Sequence, residues 1–149
     1  MIPPRSTDDP PWLVRAREDI GVREGRDDAR ILAYRQFTKE RPWAGTAGPG
    51  SAWCSDALNS WLGRCGVRGT LSAGAASWKR WGRESDVVPG AIVVFGPHDP
   101  DAAGTGHVGI VDAPPVGGKV AVVSGNCGNA VRRKIYDVAD VVACRWPVF

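Results

Sequence analysis

Cys54, His107 and Asn126 are the residues whose types and order in this chain suit nucleophilic chemistry. A cysteine can attack a carbonyl carbon, a histidine can move the proton, and an asparagine can orient the histidine ring. Trp53-Cys54-Ser55 follows Gly- and Pro-rich loop sequence and precedes apolar residues with helical spacing, so Cys54 is predicted in the first turn of a helix. The unpaired N–H groups and dipole of a helix start favour the thiolate, which predicts a lowered thiol pKa.

His107 and Asn126 belong to two predicted neighbouring strands. Residues 107–112 and 119–124 read as strands joined by a Pro/Gly turn, and Asn126 comes just after the second. One simple register of such a hairpin places Gly125 opposite His107, and a shift by one residue places Asn126 there. Cross-strand neighbours are close enough for an amide to contact an imidazole, whereas the other register sends Asn126 to the opposite face. Both registers remain open at this point.

Trp53, Gly106 and Ser124 are predicted to contact a substrate beside these three residues. Trp53 is the tryptophan expected to form part of an aromatic groove wall, and glycine beside His107 would let a substrate backbone approach closely. His98 lies in a Pro-His-Asp-Pro turn and is predicted to be a surface residue. Asp56, just after the cysteine, is predicted to serve the helix N-terminus rather than to orient the histidine.

The order of elements predicts an α+β fold, with N-terminal helices packed on a C-terminal antiparallel β-sheet. Asp9 and two prolines predict a first helix, Asp27-Asp28 a second, and residues 72–81 a short one after the cysteine helix. After Pro89-Gly90 the pattern changes to strands. That helices precede strands is typical of α+β proteins. The predicted strands cover residues 91–95, 107–112, 119–124, 131–135 and 138–144.

The length of 149 residues predicts one catalytic domain over residues 10–149, preceded by a disordered lead-in over residues 1–9. Four cysteines without a C-x-x-C pair and only two histidines give no zinc-binding spacing, so neither a metal nor a cofactor is expected. Cys54 and Cys65 are too far apart along one helix for a disulfide. Cys127 and Cys144 could form one, although two reduced thiols fit the sequence equally well.

Charge and hydropathy exclude several partners. The net charge of +3 is mild, and the triplet Arg132-Arg133-Lys134 fits a solvated strand end better than a nucleic-acid surface. No apolar run is long enough to span a membrane, and the N-terminus lacks the pattern of a signal peptide. The protein is therefore expected to be a monomer made in the cytoplasm without a signal peptide, acting in the periplasm or cell wall by another export route.

These motifs together resemble the NlpC/P60 and CHAP superfamily of papain-like cell-wall hydrolases, in particular small CHAP-like proteins encoded in phages and prophages. The resemblance implies a papain-like core, peptidoglycan as substrate, and catalytic roles for Cys54, His107 and Asn126. Ser124 stands where CHAP enzymes can carry a glutamate, which leaves Asn126 as the evident orienting residue. The matching segments, in order along the chain, are Pro11-Trp12-Leu13, Gly21-Val22-Arg23-Glu24-Gly25, Trp53-Cys54-Ser55, Pro89-Gly90-Ala91-Ile92-Val93-Val94-Phe95, Gly106-His107-Val108-Gly109, Gly125-Asn126 and Arg145-Trp146-Pro147.

Several functions remain compatible with this resemblance. The bond cut could be a peptide crosslink (endopeptidase) or the N-acetylmuramoyl-L-alanine amide (amidase), as in a phage-type lysin. A second class is a type VI-like secreted antibacterial amidase effector, whose further partner would be an inhibitory immunity protein. A third is a non-catalytic wall-binding module, which the presence of Cys54, His107 and Asn126 disfavours.

Overall fold

The computed structural model describes residues 9–38, 53–96 and 106–149. In these residues three α-helices and six β-strands form an α+β fold, as predicted from the order of elements. Apart from Asp9, the predicted disordered lead-in lies outside the described residues, and so does His98. Within the described ranges no helix has the length and apolar character needed to cross a membrane.

The helices come first along the chain. Helix α1 begins at Pro11, where the missing N–H of proline costs nothing. Asp9 does not cap this helix, because its carboxylate accepts a 2.6 Å hydrogen bond from Arg17 and none from a helix N–H. The short helix predicted over residues 72–81 is a 3₁₀ helix. The bounds are α1 Pro11–Glu18, α2 Asp28–Tyr34 and α3 Cys54–Gly63, with 3₁₀ helices at Arg35–Phe37, Ala75–Arg80 and Val138–Asp140.

The strands form one sheet in which every neighbouring pair is antiparallel. Their spatial order is β1-β6-β2-β3-β4-β5, so β3 lies near the centre and β5 at an edge. The short first strand was not predicted from the sequence. The bounds are β1 Arg83–Glu84, β2 Ile92–Phe95, β3 His107–Val111, β4 Lys119–Ser124, β5 Arg132–Asp137 and β6 Val141–Trp146.

The sheet has apolar residues on both faces, and alternate residues of each central strand point to opposite sides. Val108 and Ile110 of β3 pack with Cys54 and the rest of α3 in the helix-side core. Val111 of the same strand packs on the other face with Phe95, in the far-side core. The far-side core consists of Ala91, Val93, Phe95, Val111, Val120, Val122 and Tyr136.

Asp19, just after α1, joins the three helices through one buried carboxylate. Its Oδ2 atom accepts hydrogen bonds from Tyr34 Oη at 2.6 Å and Trp61 Nε1 at 2.9 Å. Its Oδ1 atom accepts one from Arg30 at 2.6 Å. Burial and the neighbouring carboxylate raise the pKa of Tyr34, so the phenol stays a donor at neutral pH. This contact holds α1 and α2 against the helix that begins with Cys54.

We expect Asp19→Ala to lower the free energy of unfolding by about 3 kcal/mol, because it leaves buried tyrosine and tryptophan donors without their acceptor. Urea denaturation followed by tryptophan fluorescence would measure the change. Glu18→Ala, at the exposed neighbouring position, is the matched control and should change stability by less than about 0.5 kcal/mol. Equal stability of the two variants would contradict the role given to Asp19.

Candidate active site

Cys54 is the first residue of α3, as the sequence predicts, and only 3% of it is exposed. Burial raises the pKa of its thiol to about 11, and the nearby Asp56 charge adds to this. Hydrogen bonds from the backbone N–H groups of Val108, Ser55 and Cys54 itself act in the opposite direction. The predicted lowering of this pKa is therefore wrong, because the loss of solvation outweighs the helix start. The thiol is therefore protonated at neutral pH.

We expect Cys54 to react with iodoacetamide at least about 100-fold more slowly at pH 7 in the native protein than in urea. The reason is that the raised pKa lowers the fraction of Cys54 present as thiolate by about 100-fold. The native rate should rise about tenfold per pH unit up to about pH 11. Peptide mass spectrometry after timed quenching measures each cysteine separately. Preferential labelling of Cys54 at mildly acidic pH would contradict the raised pKa.

The β3–β4 ladder begins only at Ile110 and leaves the first residues of β3, near Cys54, outside it. The described register pairs Ile110 with Val123 and Val111 with Val122, and the Asp112 N–H bonds the Ala121 carbonyl at 2.8 Å. Backbone N–H groups alternate in direction along a strand, so the N–H of Val108, four residues before Asp112, points towards β4 as that of Asp112 does. There it acts to lower the pKa of the Cys54 thiol. We call this place the open seam: the start of β3, the end of β4 and the Cys54 thiol near them.

His107 lies at the same end of β3, one residue before Val108. Its ring points to the far side of the sheet, where its centroid is 6.3 Å from that of Phe95 and 6.2 Å from that of Tyr136. Its Nε2 atom is 2.8 Å from Ser124 Oγ at the end of β4. Both residues are fully buried.

Asn126 occupies the turn after β4. The β3–β4 register is the one of the two predicted registers that, continued to the strand ends, sets Asn126 opposite His107. Asn126 is half-buried, with φ of 53° in the left-handed region that asparagine tolerates. His107 Nε2 nevertheless lies 2.8 Å from Oγ of Ser124, which is fully buried. The contact of Ser124 with substrate stays a prediction.

A comparison with protein-family models matches the CHAP domain over residues 39–126. The match contains Cys54, His107 and Ser124 and ends at Asn126. The chain belongs to the CHAP family. Membership of this family suggests peptidoglycan hydrolase activity of the amidase or peptidase type.

Two further comparisons place this CHAP domain among known proteins. It is similar to a solved structure titled "The crystal structure of Ly7917", with 19% sequence identity and a TM-score of 0.43. The alignment covers 92% of this chain and 61% of that one, so the chain spans less than two thirds of its length. A comparison with curated proteins found no match.

Trp53 of the CHAP domain is fully buried, and its predicted contact with substrate stays a prediction. Its Nε1 donates a 2.5 Å hydrogen bond to Glu24 Oε1, and its ring stacks on Tyr34 at 6.1 Å. A Cβ atom at Gly125 would lie 2.7 Å from Trp53 Cζ3, so glycine there allows α3 to approach the end of β4. The Glu24 N–H bonds the Asn129 carbonyl, which joins the same segment to the turn after β4. The sequence did not predict that Glu24 bonds Trp53, although the segment Gly21-Val22-Arg23-Glu24-Gly25 was among the motifs of the resemblance.

Gly106 and Asp56 also have contacts inside the protein that were not predicted. Gly106 has φ of +119°, and a Cβ atom there would lie 2.4 Å from the Phe95 carbonyl oxygen, so the close approach of β2 requires the glycine. Asp56 is fully buried, accepts a 2.9 Å hydrogen bond from Thr38 Oγ1, and has Oδ2 3.7 Å from Arg35 Nε. It lies in the first turn of α3, as predicted, and is also an ion-pair partner of Arg35 inside the protein.

All four cysteines lie in the described residues and none of them forms a disulfide, which resolves the alternative left open for Cys127 and Cys144. Cys127 Sγ lies 3.7 Å from Tyr136 Oη, and Cys144 Sγ lies 3.3 Å from the Asp86 carbonyl oxygen. Burial raises the pKa of Cys144 to about 11 as well. Cys54 is distinguished from it by its place at a helix start in the open seam.

Proposed function

We propose that this CHAP domain hydrolyses an amide bond in the peptide part of peptidoglycan, with Cys54 as nucleophile and His107 as base. The proposal is supported by the position of Cys54 at the start of α3, where the backbone N–H of Val108 acts to lower the pKa of its thiol. Val108 directly follows His107 at the start of β3, and this adjacency favours the pairing of the thiol with the imidazole. A cysteine at a helix start beside a histidine on a strand also fits a papain-like core, which forms part of the proposal.

The raised pKa determines the order of proton transfers. Because the thiol is protonated at neutral pH, His107 takes the Sγ proton as the sulfur–carbon bond forms. Backbone N–H groups at the start of α3 stabilise the resulting oxyanion. The tetrahedral intermediate then collapses, the carbon–nitrogen bond breaks, and His107 gives its proton to the departing amine. Water hydrolyses the thioester with His107 again as base, which releases the carboxylic acid and restores the thiol.

Ser124 and Asn126 support the ring during these transfers. A proton on Nε2 directed at Ser124 Oγ leaves the lone pair of His107 on Nδ1, where a general base needs it. Asn126, opposite His107 in the continued register, is the second orienting residue in the proposal. The expected order of importance is therefore His107 first, with Ser124 and Asn126 acting through it.

The test is mass spectrometry of fragments released from purified peptidoglycan by the wild-type protein and by Cys54→Ala. A free peptide beginning with L-alanine would identify an amidase, and a shortened or uncrosslinked peptide would identify an endopeptidase. Absence of fragments with the folded wild-type protein would refute the proposed function.

A further inference from the structure

Arg132, at the start of β5, is an exposed cation near the candidate active site. We propose that its guanidinium binds a free carboxylate of the wall peptide beside the bond to be cut. This inference rests on the proposed function and adds a chemical requirement for the substrate. Wall peptides carry free carboxylates, whose planar geometry matches the two-pronged hydrogen bonding of arginine.

The sheet register places Arg132 beside the histidine support. Arg132 is the cross-strand partner of Ser124 in the β4–β5 ladder. Directly opposed residues of two antiparallel strands project from the same face. Ser124 bonds His107 on that face, so His107, Ser124 and Arg132 follow one another across three adjacent strands. The histidine and serine are buried, whereas the arginine is exposed at the edge strand.

The guanidinium lies against the turn that follows Asn126. A Cβ atom at Gly128 would lie 3.5 Å from Arg132 Cζ and 3.7 Å from its Nε and Nη2 atoms. Gly128 has φ of +58°, so the turn needs glycine for its conformation while it also leaves space beside the arginine. The guanidinium thus lies beside the turn after β4.

The other two residues of the basic triplet have different surroundings. Arg133 projects to the opposite face and forms an ion pair with Asp112 at 2.6 Å. Lys134 Nζ lies 5.1 Å above the Tyr136 ring. Among the described residues, no carboxylate forms an ion pair with Arg132. The triplet is therefore not a uniform solvated strand end, and its first residue has the position and the charge to bind an anionic substrate group.

The proposal is tested by binding of two stem peptides to the Cys54→Ala protein, measured by calorimetry. One peptide has free carboxylates, and the other has the same sequence with carboxamides in their place. We expect the carboxylate peptide to bind about tenfold more tightly. Adding Arg132→Gln should reduce this ratio to about one, and Arg132→Lys should retain part of it. Arg68→Gln, which removes the same charge from an exposed site after α3, should leave the ratio unchanged.

Two outcomes would overturn the role of Arg132: equal binding of both peptides to Cys54→Ala, or a ratio that Arg132→Gln leaves intact. If Arg132→Gln weakens the binding of both peptides by the same factor, the ratio is unchanged, and this result also overturns the role of Arg132. Fragment release by the wild-type protein is measured in parallel. Release without discrimination refutes only the carboxylate site, whereas discrimination without release refutes only the proposed hydrolysis.

Discussion

Replacing Cys54 by alanine is expected to lower kcat for release of wall peptides by at least about 10³-fold, because no other group in the open seam can form the thioester. The thermal midpoint should move by only a few degrees, since one sulfur atom is removed from a site that stays packed by α3 and β3. Fragment release quantified by mass spectrometry, together with a melting curve, measures both effects.

Cys65→Ala is the matched control for this variant. Cys65 lies just beyond the C-terminal end of α3 and is half-buried. Its removal should leave kcat within about twofold of the wild-type value. Activity retained by Cys54→Ala, or lost equally in both variants, would contradict the assignment of the nucleophile.

Replacing His107 by alanine is expected to lower kcat almost as much, by about 10³-fold. A thiol whose pKa is raised to about 11 needs a base even more than a preformed thiolate would. The activity that remains should increase with pH up to about pH 11, as hydroxide replaces the missing base. Initial rates between pH 6 and pH 10 measure this dependence, and a pH-independent residual rate would contradict the role of His107 as base.

Ser124→Ala is the comparison for His107, because it removes the hydroxyl at 2.8 Å and leaves the ring in place. It should lower kcat by only about tenfold, and Asn126→Ala by no more than that. Added to His107→Ala, either substitution should have no further effect, since both act through the ring. His107→Ala also removes a ring packed near Phe95 and Tyr136, so near-ultraviolet circular dichroism should accompany each rate.

The helix start at Cys54 could be predicted because its signals are local. Gly and Pro residues before it and apolar spacing after it specify where a helix begins, whatever the rest of the chain does. The order of helices and strands likewise predicted the fold class. The pKa of Cys54 could not be predicted in this way, since its largest cause is burial under parts of the chain distant in sequence.

The register of β3 and β4 was left open between two alternatives because the turn between them is irregular. Val116 pairs with Lys119 around Gly117 and Gly118, which both have positive φ. The pairing of Val116 with Lys119 in this tight turn is offset by two residues from the pairing in the β3–β4 ladder. Because side chains alternate between faces with a period of two, an offset of two residues leaves every side chain on its observed face. The two glycines were therefore a signal that could have favoured the observed register.

The partner of His107 could not be chosen from the register alone. Ser124 and Asn126 are two residues apart and project to the same face of the continued hairpin. Which of them reaches Nε2 depends on how the chain turns after β4, where Asn126 enters the left-handed region. The packing of Trp53 was equally hidden, because it depends on Glu24 and Gly125, which are remote in sequence.

A nucleophile that rests as a buried, protonated thiol is also poorly susceptible to peroxide. Oxidation to sulfenic acid requires thiolate character and solvent access, and Cys54 has little of either at neutral pH. Burial raises the pKa of the Cys54 thiol, and this one change both slows its oxidation by peroxide and makes a base necessary for its attack. A protein built in this way should keep its reactive sulfur reduced under oxidising conditions without a disulfide to protect it.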